Sequence, residues 1–412
     1  MATVLIIGTL DTKGPETAYL RDAVRALGCD VLVLDSGILG EAIGITADFP
    51  REVVAQAAGS TLDALRSAGS RGKAVEEMLK GVRSIARALF DQGRIHGLAA
   101  LGGAEGSVLA SAAAKVMPIG FPKLIVSPIA SGHRKFAPFV GTKDVLVMHS
   151  IVDILGLNDI SRAVFDSAAA AIAGMARAYE QRGAFRRSGR RAVAATMLGN
   201  TTRPLMHIKP RIEAHDLDFV IFHANGVGGQ AMEELIAEGQ FAAVLDYTLS
   251  EVAGNIAGGF HVGGPTRLDA AGAAGIPQVI VPGCLDFVVF GARHEVPPQY
   301  AGRPTYYHNP EFTLVRVTPE EQMAAAAWLS DKLNRATGAV TVIVPLGGGS
   351  IMDIEGGAFW QPELNRRCWD ALRDSLRQDI RYLEIDAHIN DPDFADAALE
   401  ELLRLIEASK KL

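Results

Sequence analysis

The residues best suited to chemistry are concentrated between Phe222 and Asp269, with one more near the C-terminus. Asp246 and Glu251 follow a short apolar segment that is typical of a buried strand, and carboxylates can act as general acids or bases. Arg267 offers a planar guanidinium that suits the carboxylate of a ligand. His388 follows a later apolar segment and could transfer a proton, although a structural histidine bonded to loop backbone explains it equally well. We therefore expect catalytic roles for Asp246, Glu251 and His388.

Glycine turns in the same stretch point to an anionic ligand. The turn Asn225-Gly226-Val227-Gly228-Gly229 separates an apolar strand from an amphipathic helix, and free amides at the start of a helix attract anions. A glycine loop at 347–349 precedes Ser350 in the same way. Glycine turns also join strands to helices throughout α/β proteins, so each turn alone could be only a connector, and the prediction depends on their clustering. The predicted substrate contacts are Asn225, Gly228, Gly229, Arg267 and Ser350.

Two similar turns occur in the first half of the chain. Residues 8–14 follow the apolar segment 3–7, and residues 102–107 follow the apolar segment 97–101. Lys13 adds a positive charge for a phosphate, and Asp35, after the second apolar segment, is placed to accept a hydrogen bond from a ribose hydroxyl. The turn at 8–14 has neither the spacing of a Walker loop nor that of GxGxxG, and Asp35-Ser36-Gly37 is also ordinary turn chemistry. His133, Arg134 and Lys143 are further candidates for contacts with an anion. The predicted nucleotide contacts are Gly8, Thr9, Asp11, Thr12, Lys13, Gly14, Asp35, Gly102, Gly103, Glu105, Gly106 and Ser107.

The order of apolar segments predicts two α/β units. Strands are expected over residues 3–7, 31–34, 97–101, 123–126, 145–148, 192–196, 219–222, 242–245, 278–281, 341–345 and 382–385. Alternation of such strands with helices is typical of Rossmann-like domains with mainly parallel sheets. The basic run 186–191 reads as a linker, which gives a nucleotide domain at 1–187, a substrate or partner domain at 188–412 and a cleft between them. Residues 291–312, rich in Pro, Tyr and His, are predicted to be a loop that serves as a lid or an interface.

Composition and charge exclude several classes of function. The 412 residues are 49% hydrophobic and 21% charged, with a formal net charge of -7, so the chain is expected to fold and to lack the basic surface that nucleic acid requires. No apolar run approaches the roughly 20 residues of a membrane-spanning helix, and no signal-peptide pattern is present. Three widely spaced cysteines argue against a disulfide framework and a structural zinc site. We expect a cytoplasmic protein that binds neither nucleic acid nor membrane.

Eight segments of the sequence are distinctive when taken together. They are GTLDTKG, LGGAEGS, SGHRKFAPFVGTKDV, MLGNTT, FHANGVGGQAMEELI, LDYTLSEVAG, PGCLDFVVFG and HINDPDFA. These segments resemble the Tm-one-like ATP-binding family, which includes the tomato mosaic virus replication inhibitor and uncharacterised bacterial members. The resemblance covers nearly the whole chain and implies two Rossmann-like domains, ATP binding and a homodimer. It also implies that residues 8–14 and 102–107 contact the nucleotide, but it implies no reaction.

The first functional hypothesis is an ATP-binding enzyme that acts on a small anionic metabolite, such as a sugar acid, in the cleft between the domains. If ATP is turned over, Mg²⁺ is expected with an acidic ligand from these residues, which the sequence does not identify. Two alternatives remain open: a non-catalytic nucleotide-binding module that recognises a protein partner, and an ATP-independent hydrolase or lyase. Likeness of fold does not choose among them.

Overall fold

Apolar strands that are buried on both faces form the centre of each half of the protein. The computed structural model describes residues 1–130, 137–183 and 189–409. The chain divides into two units, Met1–Arg186 and Arg187–Leu412. The domain boundary predicted at 187 and 188 lies outside the described residues, as do His133 and Arg134. Each unit is an α/β structure around a parallel sheet, which confirms the predicted fold class.

Five parallel strands form the sheet of the first unit. They are β1 (Thr3–Gly8), β2 (Asp30–Asp35), β3 (Gly97–Leu101), β4 (Lys123–Ser127) and β5 (Leu146–His149). Their order in the sheet is β2-β1-β3-β4-β5, and every neighbouring pair is parallel. The helices of this unit are α1 (Leu10–Ala26), α2 (Arg51–Ala57), α3 (Leu62–Arg66), α4 (Arg71–Asp91), α5 (Ala104–Lys115), α6 (Ala137–Val140) and α7 (Asp159–Arg182).

Alternating side chains of β1 pack into two separate cores. Val4 and Ile6 pack with residues of α1 and α7, whereas Leu5 and Ile7 pack with residues of α4 and α5. This period of two follows from strand geometry, and burial on both faces explains why the strand is continuously apolar. The order of strands reverses between β1 and β3, and the loops that follow these two strands therefore emerge side by side at one edge of the sheet.

Six parallel strands form the main sheet of the second unit, in the order β14-β13-β9-β8-β6-β7. Its strands and those of a smaller sheet are β6 (Arg191–Met197), β7 (Leu217–His223), β8 (Ala243–Asp246), β9 (Gln278–Ile280), β10 (Phe287–Phe290), β11 (Thr305–Asn309), β12 (Phe312–Arg316), β13 (Val340–Pro345) and β14 (Arg381–Ile385). Its helices are α8 (Thr202–Glu213), α9 (Gly228–Ala237), α10 (Ser250–Ala257), α11 (Ala270–Ala274), α12 (Pro319–Leu333), α13 (Pro362–Ser375) and α14 (Pro392–Ser409). Short 3₁₀ turns lie at Gly199–Thr201, Arg293–Glu295 and Pro298–Tyr300.

The smaller sheet is antiparallel and has the strand order β10-β12-β11. It corrects the prediction that residues 291–312 are a loop, because this stretch contains β11, the two latter 3₁₀ turns and the first residue of β12. The strand β11 is mostly exposed, with Tyr306 and Tyr307 at 39% and 56%, and therefore lacks the alternation of apolar and polar residues that marks a half-buried strand. Among the described residues, no helix combines the length and apolar character needed to cross a membrane.

Candidate functional site

A cavity of about 610 Å³ opens in the first unit beyond the carboxyl ends of β1, β2 and β3. It lies where the order of strands reverses between β1 and β3, the usual position of ligands in open α/β sheets. The predicted contacts Thr9, Asp11, Thr12, Lys13, Gly103, Glu105 and Gly106 line it together with Gly37, Ile38, Leu39, Gly40, Arg71 and Ala104. The structure thus brings the two glycine turns of the first half to one site, whereas Lys143 lies outside this lining.

The turn between β1 and α1 depends on two glycines that do not line the cavity. A Cβ atom on Gly14 would lie 1.8 Å from the carbonyl oxygen of Ile43, and one on Gly8 would lie 2.7 Å from Oγ1 of Thr17. Lys13 interrupts the helical geometry of α1 with φ -125° and ψ 21°, so the first residues of α1 form a separate turn. This turn presents Thr9, Asp11, Thr12 and Lys13 to the cavity.

The turn between β3 and α5 is also closely packed. A Cβ atom on Gly102 would lie 2.6 Å from Cα of Gly106. The buried hydroxyl of Ser107 donates a hydrogen bond to the carbonyl oxygen of Gly102 at 3.0 Å and shares a 2.7 Å hydrogen bond with the hydroxyl of Ser127. Gly102 and Ser107 therefore hold the turn in place and do not face a ligand. The first amides of a helix have no acceptor within it, and those of residues 104–106 lie at the cavity, where they can bind an anion.

Four charged side chains meet at the cavity. Arg71 begins α4 and forms a 2.6 Å ion pair with Glu105. Asp11 accepts a 3.0 Å hydrogen bond from the amide of Gly40 through Oδ2, and Lys13 supplies the second positive charge. In the described part of the chain, no three His, Cys, Asp or Glu residues are arranged to hold a metal ion. The carboxylates of Asp11 and Glu105 suit a divalent cation whose other oxygen ligands belong to a bound molecule.

Asp35 does not line the cavity, which corrects the prediction that it contacts the nucleotide. Its side chain is buried, and Oδ1 accepts hydrogen bonds from the amides of Leu10 at 3.1 Å and Gly37 at 2.8 Å. Burial raises the pKa of the Asp35 carboxyl, while these two hydrogen bonds act in the opposite direction. Asp35 therefore joins the turns after β1 and β2, as the turn interpretation allowed, and is not placed to bind a ribose hydroxyl.

Sequence reasoning missed the segment 37–40 and Arg71. The segment 37–40 lies in the irregular connection between β2 and α4, and Arg71 is the first residue of α4. The path of this connection depends on packing, and only the glycines of Gly37-Ile38-Leu39-Gly40 gave a local signal. A second cavity of about 400 Å³ shares Ile38, Leu39, Arg71 and Glu105 with the first and is extended by residues of α3 and α4. Its apolar side chains add a surface on which a flat ring can pack.

In the second unit, three predicted site residues form a buried ionic network. The guanidinium of Arg267 is fully buried and makes a bidentate pair with Asp246, at 2.5 and 2.7 Å. It also donates hydrogen bonds to Glu251 at 2.8 Å and to Glu233 at 3.3 Å. Burial raises the pKa of the Glu233 carboxyl, against the lowering effect of Arg267. Asp246 and Glu251 are themselves 0% exposed, so the predicted proton transfer by these acids and the predicted binding of a substrate carboxylate by Arg267 are corrected to a structural role.

The glycine turn before α9 binds an anion, but that anion is the carboxylate of Glu251. Its Oε1 accepts hydrogen bonds from the amides of Gly226 at 2.7 Å and Gly229 at 3.0 Å. A Cβ atom on Gly229 would lie 1.8 Å from Oε2 of Glu251, and one on Gly228 would lie 1.9 Å from the carbonyl oxygen of His223. These glycines give room to internal groups, which corrects their assignment to substrate binding.

His388 and Ser350 are also held by internal hydrogen bonds. Nδ1 of His388 accepts from the amide of Asn390 at 3.2 Å, so Nε2 carries the proton and donates to the carbonyl oxygen of Ser350 at 2.8 Å. The hydroxyl of Ser350 is buried and donates to Oδ2 of Asp286 at 2.7 Å. His388 is thus the structural histidine of the alternative interpretation, and Ser350 is not placed to bind substrate. Asn225 differs from both, because it is exposed and lines a cavity of about 450 Å³.

Comparison with known proteins identifies one family over both units. The description "Uncharacterised protein family (UPF0261)" applies to an N-terminal domain matched by residues 2–181 and a C-terminal domain matched by residues 190–406. A UPF0261 protein of Clostridium tetani is 37% identical over 407 residues, which cover 98% of this chain and 99% of the relative. A UPF0261 protein of Rhizobium meliloti is 37% identical over 401 residues, which cover 97% and 98%. The ToMV resistance protein Tm-1(GCR237) of Solanum lycopersicum is 34% identical, and the match covers 99% of this chain and 56% of that protein.

Proposed function

The chain belongs to the uncharacterised protein family UPF0261, and we propose that its first unit binds ATP as the magnesium complex. One observation carries the proposal: the turns after β1 and β3, which are far apart in sequence, line one cavity at the point where the strand order reverses. Ligands occupy this position in sheets of the same strand order. The resemblance to an ATP-binding family directs the choice of nucleotide.

The phosphates are assigned to the two turns. The first amides of α5 carry partial positive charge, because the peptide dipoles of a helix add along its axis. Lys13 lies on the opposite turn and supplies a full charge, and Arg71 supplies another from the start of α4. Arg71 can also bind two phosphate oxygens at once through its planar guanidinium.

The magnesium ion follows from the carboxylates of Asp11 and Glu105. They cancel the charges of Lys13 and Arg71, so a free triphosphate would meet a site with no net charge and two nearby negative groups. A Mg²⁺ ion bound to the phosphates removes this repulsion, since it takes oxygen ligands from both carboxylate and phosphate. We therefore expect ATP to bind much more weakly without Mg²⁺.

The adenine ring is assigned to the adjoining 400 Å³ cavity. Ile38 and Leu39 line both cavities, and Leu65 and Ala74 add apolar surface to the second. A flat, uncharged ring can bury its faces there while the phosphates stay at the turns. The arrangement favours binding over catalysis, because the acids predicted to transfer protons in the second unit are buried in an ionic network.

The test is a calorimetric titration of the full-length protein with ATP, in Mg²⁺ and in EDTA. Lys13→Ala and Arg71→Ala are each expected to weaken binding in Mg²⁺ at least tenfold, or about 1.4 kcal/mol. The control is Lys73→Ala, an exposed cation in the first turn of α4 that does not line the cavity. Absence of binding by the unaltered protein, or equal affinity in all four proteins, would contradict the proposal. Phosphate release, followed in the same samples, is expected to stay at background.

A further inference from the structure

The cavity of about 450 Å³ in the second unit has no part in the proposed nucleotide site. Leu198, Gly199 and Asn200 reach it just beyond β6, and His223 reaches it at the end of β7. The antiparallel hairpin of β11 and β12 forms another wall through His308, Asn309 and Phe312. The cavity therefore lies at the carboxyl ends of two parallel strands, where α/β sheets bind ligands, and a hairpin partly covers it.

Aromatic rings supply much of the wall. Phe260 and Phe312 both line the cavity, yet 42% and 41% of their surfaces are exposed. Phe287, also in the lining, is buried and packs against Phe359 with ring centroids 6.4 Å apart. Burying exposed phenyl surface against another flat ring is favourable, and aromatic pairs gain more than their buried area alone predicts.

The polar groups of the lining are imidazoles and amides. In the part of the chain that the structure describes, the buried Nδ1 atom of His261 has no hydrogen-bond partner. Because this atom is buried, His261 meets the cavity through the rest of its ring. The amide oxygen of Asn200 accepts a 3.2 Å hydrogen bond from the amide of Ile351, which fixes the orientation of this side chain at the cavity. Asn225 and Asn309 add amide NH2 donors to the lining, because their Oδ1 atoms already accept from backbone amides.

Among the described residues, the lining contains no carboxylate, ammonium or guanidinium group, since it includes no Asp, Glu, Lys or Arg. Burial lowers the pKa of His261 to about 4, and the neighbouring His223 adds to the effect. Placing an anion against these phenyl rings without a Lys or Arg to pair with it would be unfavourable. An uncharged ligand avoids this cost.

We propose that this cavity binds a small, uncharged heteroaromatic compound that packs against Phe260 and Phe312 and accepts hydrogen bonds from the asparagine amide groups of the lining. The ring accounts for the exposed phenyl groups, and acceptor atoms on its edge account for the asparagine NH2 groups of the lining. This differs from the anionic substrate expected from the sequence, because the cations and glycine turns that suggested an anion are used inside the protein.

The experiment compares amides with their matching carboxylates on the full-length protein. The probes are indole-3-acetamide against indole-3-acetate and nicotinamide against nicotinate, with methyl glucoside for a carbohydrate, and binding is measured by ligand-observed NMR titration. We expect at least one amide to bind, and to bind at least tenfold more tightly than its carboxylate. Equal or tighter binding of the carboxylate, binding of the glucoside alone, or no binding of either amide at millimolar concentration would overturn the proposal.

Variants then place the bound amide. Phe312→Ala is expected to weaken its binding at least tenfold, whereas Tyr307→Ala, an exposed aromatic residue on the same hairpin outside the lining, should leave it unchanged. If Phe312→Ala does not melt cooperatively, binding of the amide is measured with Phe260→Ala and His261→Ala, which change other walls of the cavity. Unchanged affinity in all the cavity variants that fold would show that the amide binds elsewhere. Lys13→Ala is expected to have no effect, which separates this proposal from the nucleotide site.

Discussion

The Asp286 carboxyl is buried in the second unit with its charge poorly compensated. Its Oδ2 atom accepts the hydrogen bond from Ser350, while no described residue bonds to its Oδ1 atom. Arg316 donates to the carbonyl oxygen of Asp286 and not to this carboxyl. Burial raises the pKa of Asp286 from 3.8 to about 7, and the nearby Asp353 carboxylate adds to the rise. The folded protein therefore holds a proton at a pH where the unfolded chain has released it.

This pKa shift predicts the pH dependence of stability at the scale of one residue. Between about pH 4 and pH 7 the folded state binds one proton more than the unfolded state at this site, so the free energy of unfolding falls as pH rises, by at most about 1.4 kcal/mol per pH unit. Asp286→Asn removes the titrating group, and the variant should gain stability relative to the unaltered protein as pH rises through this window. Urea unfolding from pH 4.5 to 8 measures the difference.

The matched control for this experiment is Asp63→Asn, because the side chain of Asp63 is 95% exposed. It should leave the pH profile unchanged. Parallel profiles for Asp286→Asn and the unaltered protein would show that Asp286 is already ionised in the folded state at pH 5.

At the scale of the element, the glycine turn before α9 shows that the anion-binding amides between a strand and a helix can be satisfied by a side chain of the protein instead of by a ligand. Glu251, at the start of α10, places its carboxylate on the amides of Gly226 and Gly229. Arg267 balances that charge and links it to Asp246 at the end of β8. One salt-bridged network thereby joins a glycine turn, a helix start and a strand end.

We predict that Glu251→Gln destabilises the second unit by about 3 kcal/mol, because removing one member of a buried ionic network leaves its partners uncompensated. The amide of glutamine would also place a donor where Glu251 now accepts from backbone amides and from Arg267. Denaturant unfolding monitors the loss. Glu238→Gln is the control, since Glu238 is an exposed carboxylate at the C-terminal end of α9. A change below about 0.5 kcal/mol in Glu251→Gln, equal to the control, would mean that the network does not stabilise the fold.

The parallel sheets could be predicted from the sequence, whereas the smaller sheet could not. Strands such as β1 and β13 are mostly apolar because helices cover both of their faces. The strand β11 is exposed and is stabilised by pairing with β12, so its local sequence carries no comparable signal. The same distinction applies to the sites. The turns at 8–14 and 102–107 can be recognised from the local sequence, but the approach of Arg71 to Glu105 depends on tertiary packing. No local pattern shows whether a glycine turn binds the anion of a ligand or an internal carboxylate such as Glu251.

At the scale of the whole molecule, the cavity that we propose for the nucleotide belongs to one unit. All of the residues that line it lie between Thr9 and Gly106. The two hydrophobic cores on either side of the first sheet likewise consist of residues before Arg182. A chain of about 180 residues is long enough to bury a stable core. We therefore expect this unit to fold by itself and to keep the cavity proposed for ATP.

We therefore predict that residues 1–183 alone fold and bind ATP in Mg²⁺ with an affinity within about threefold of the full-length protein. A factor of three corresponds to about 0.65 kcal/mol, which is small against the loss expected from Lys13→Ala. Circular dichroism and a cooperative melting transition establish folding, and calorimetry measures affinity. Lys13→Ala in the fragment should repeat its effect in the full chain, which shows that the same site is occupied. A folded fragment that binds more than tenfold more weakly would mean that the second unit supplies part of the binding energy.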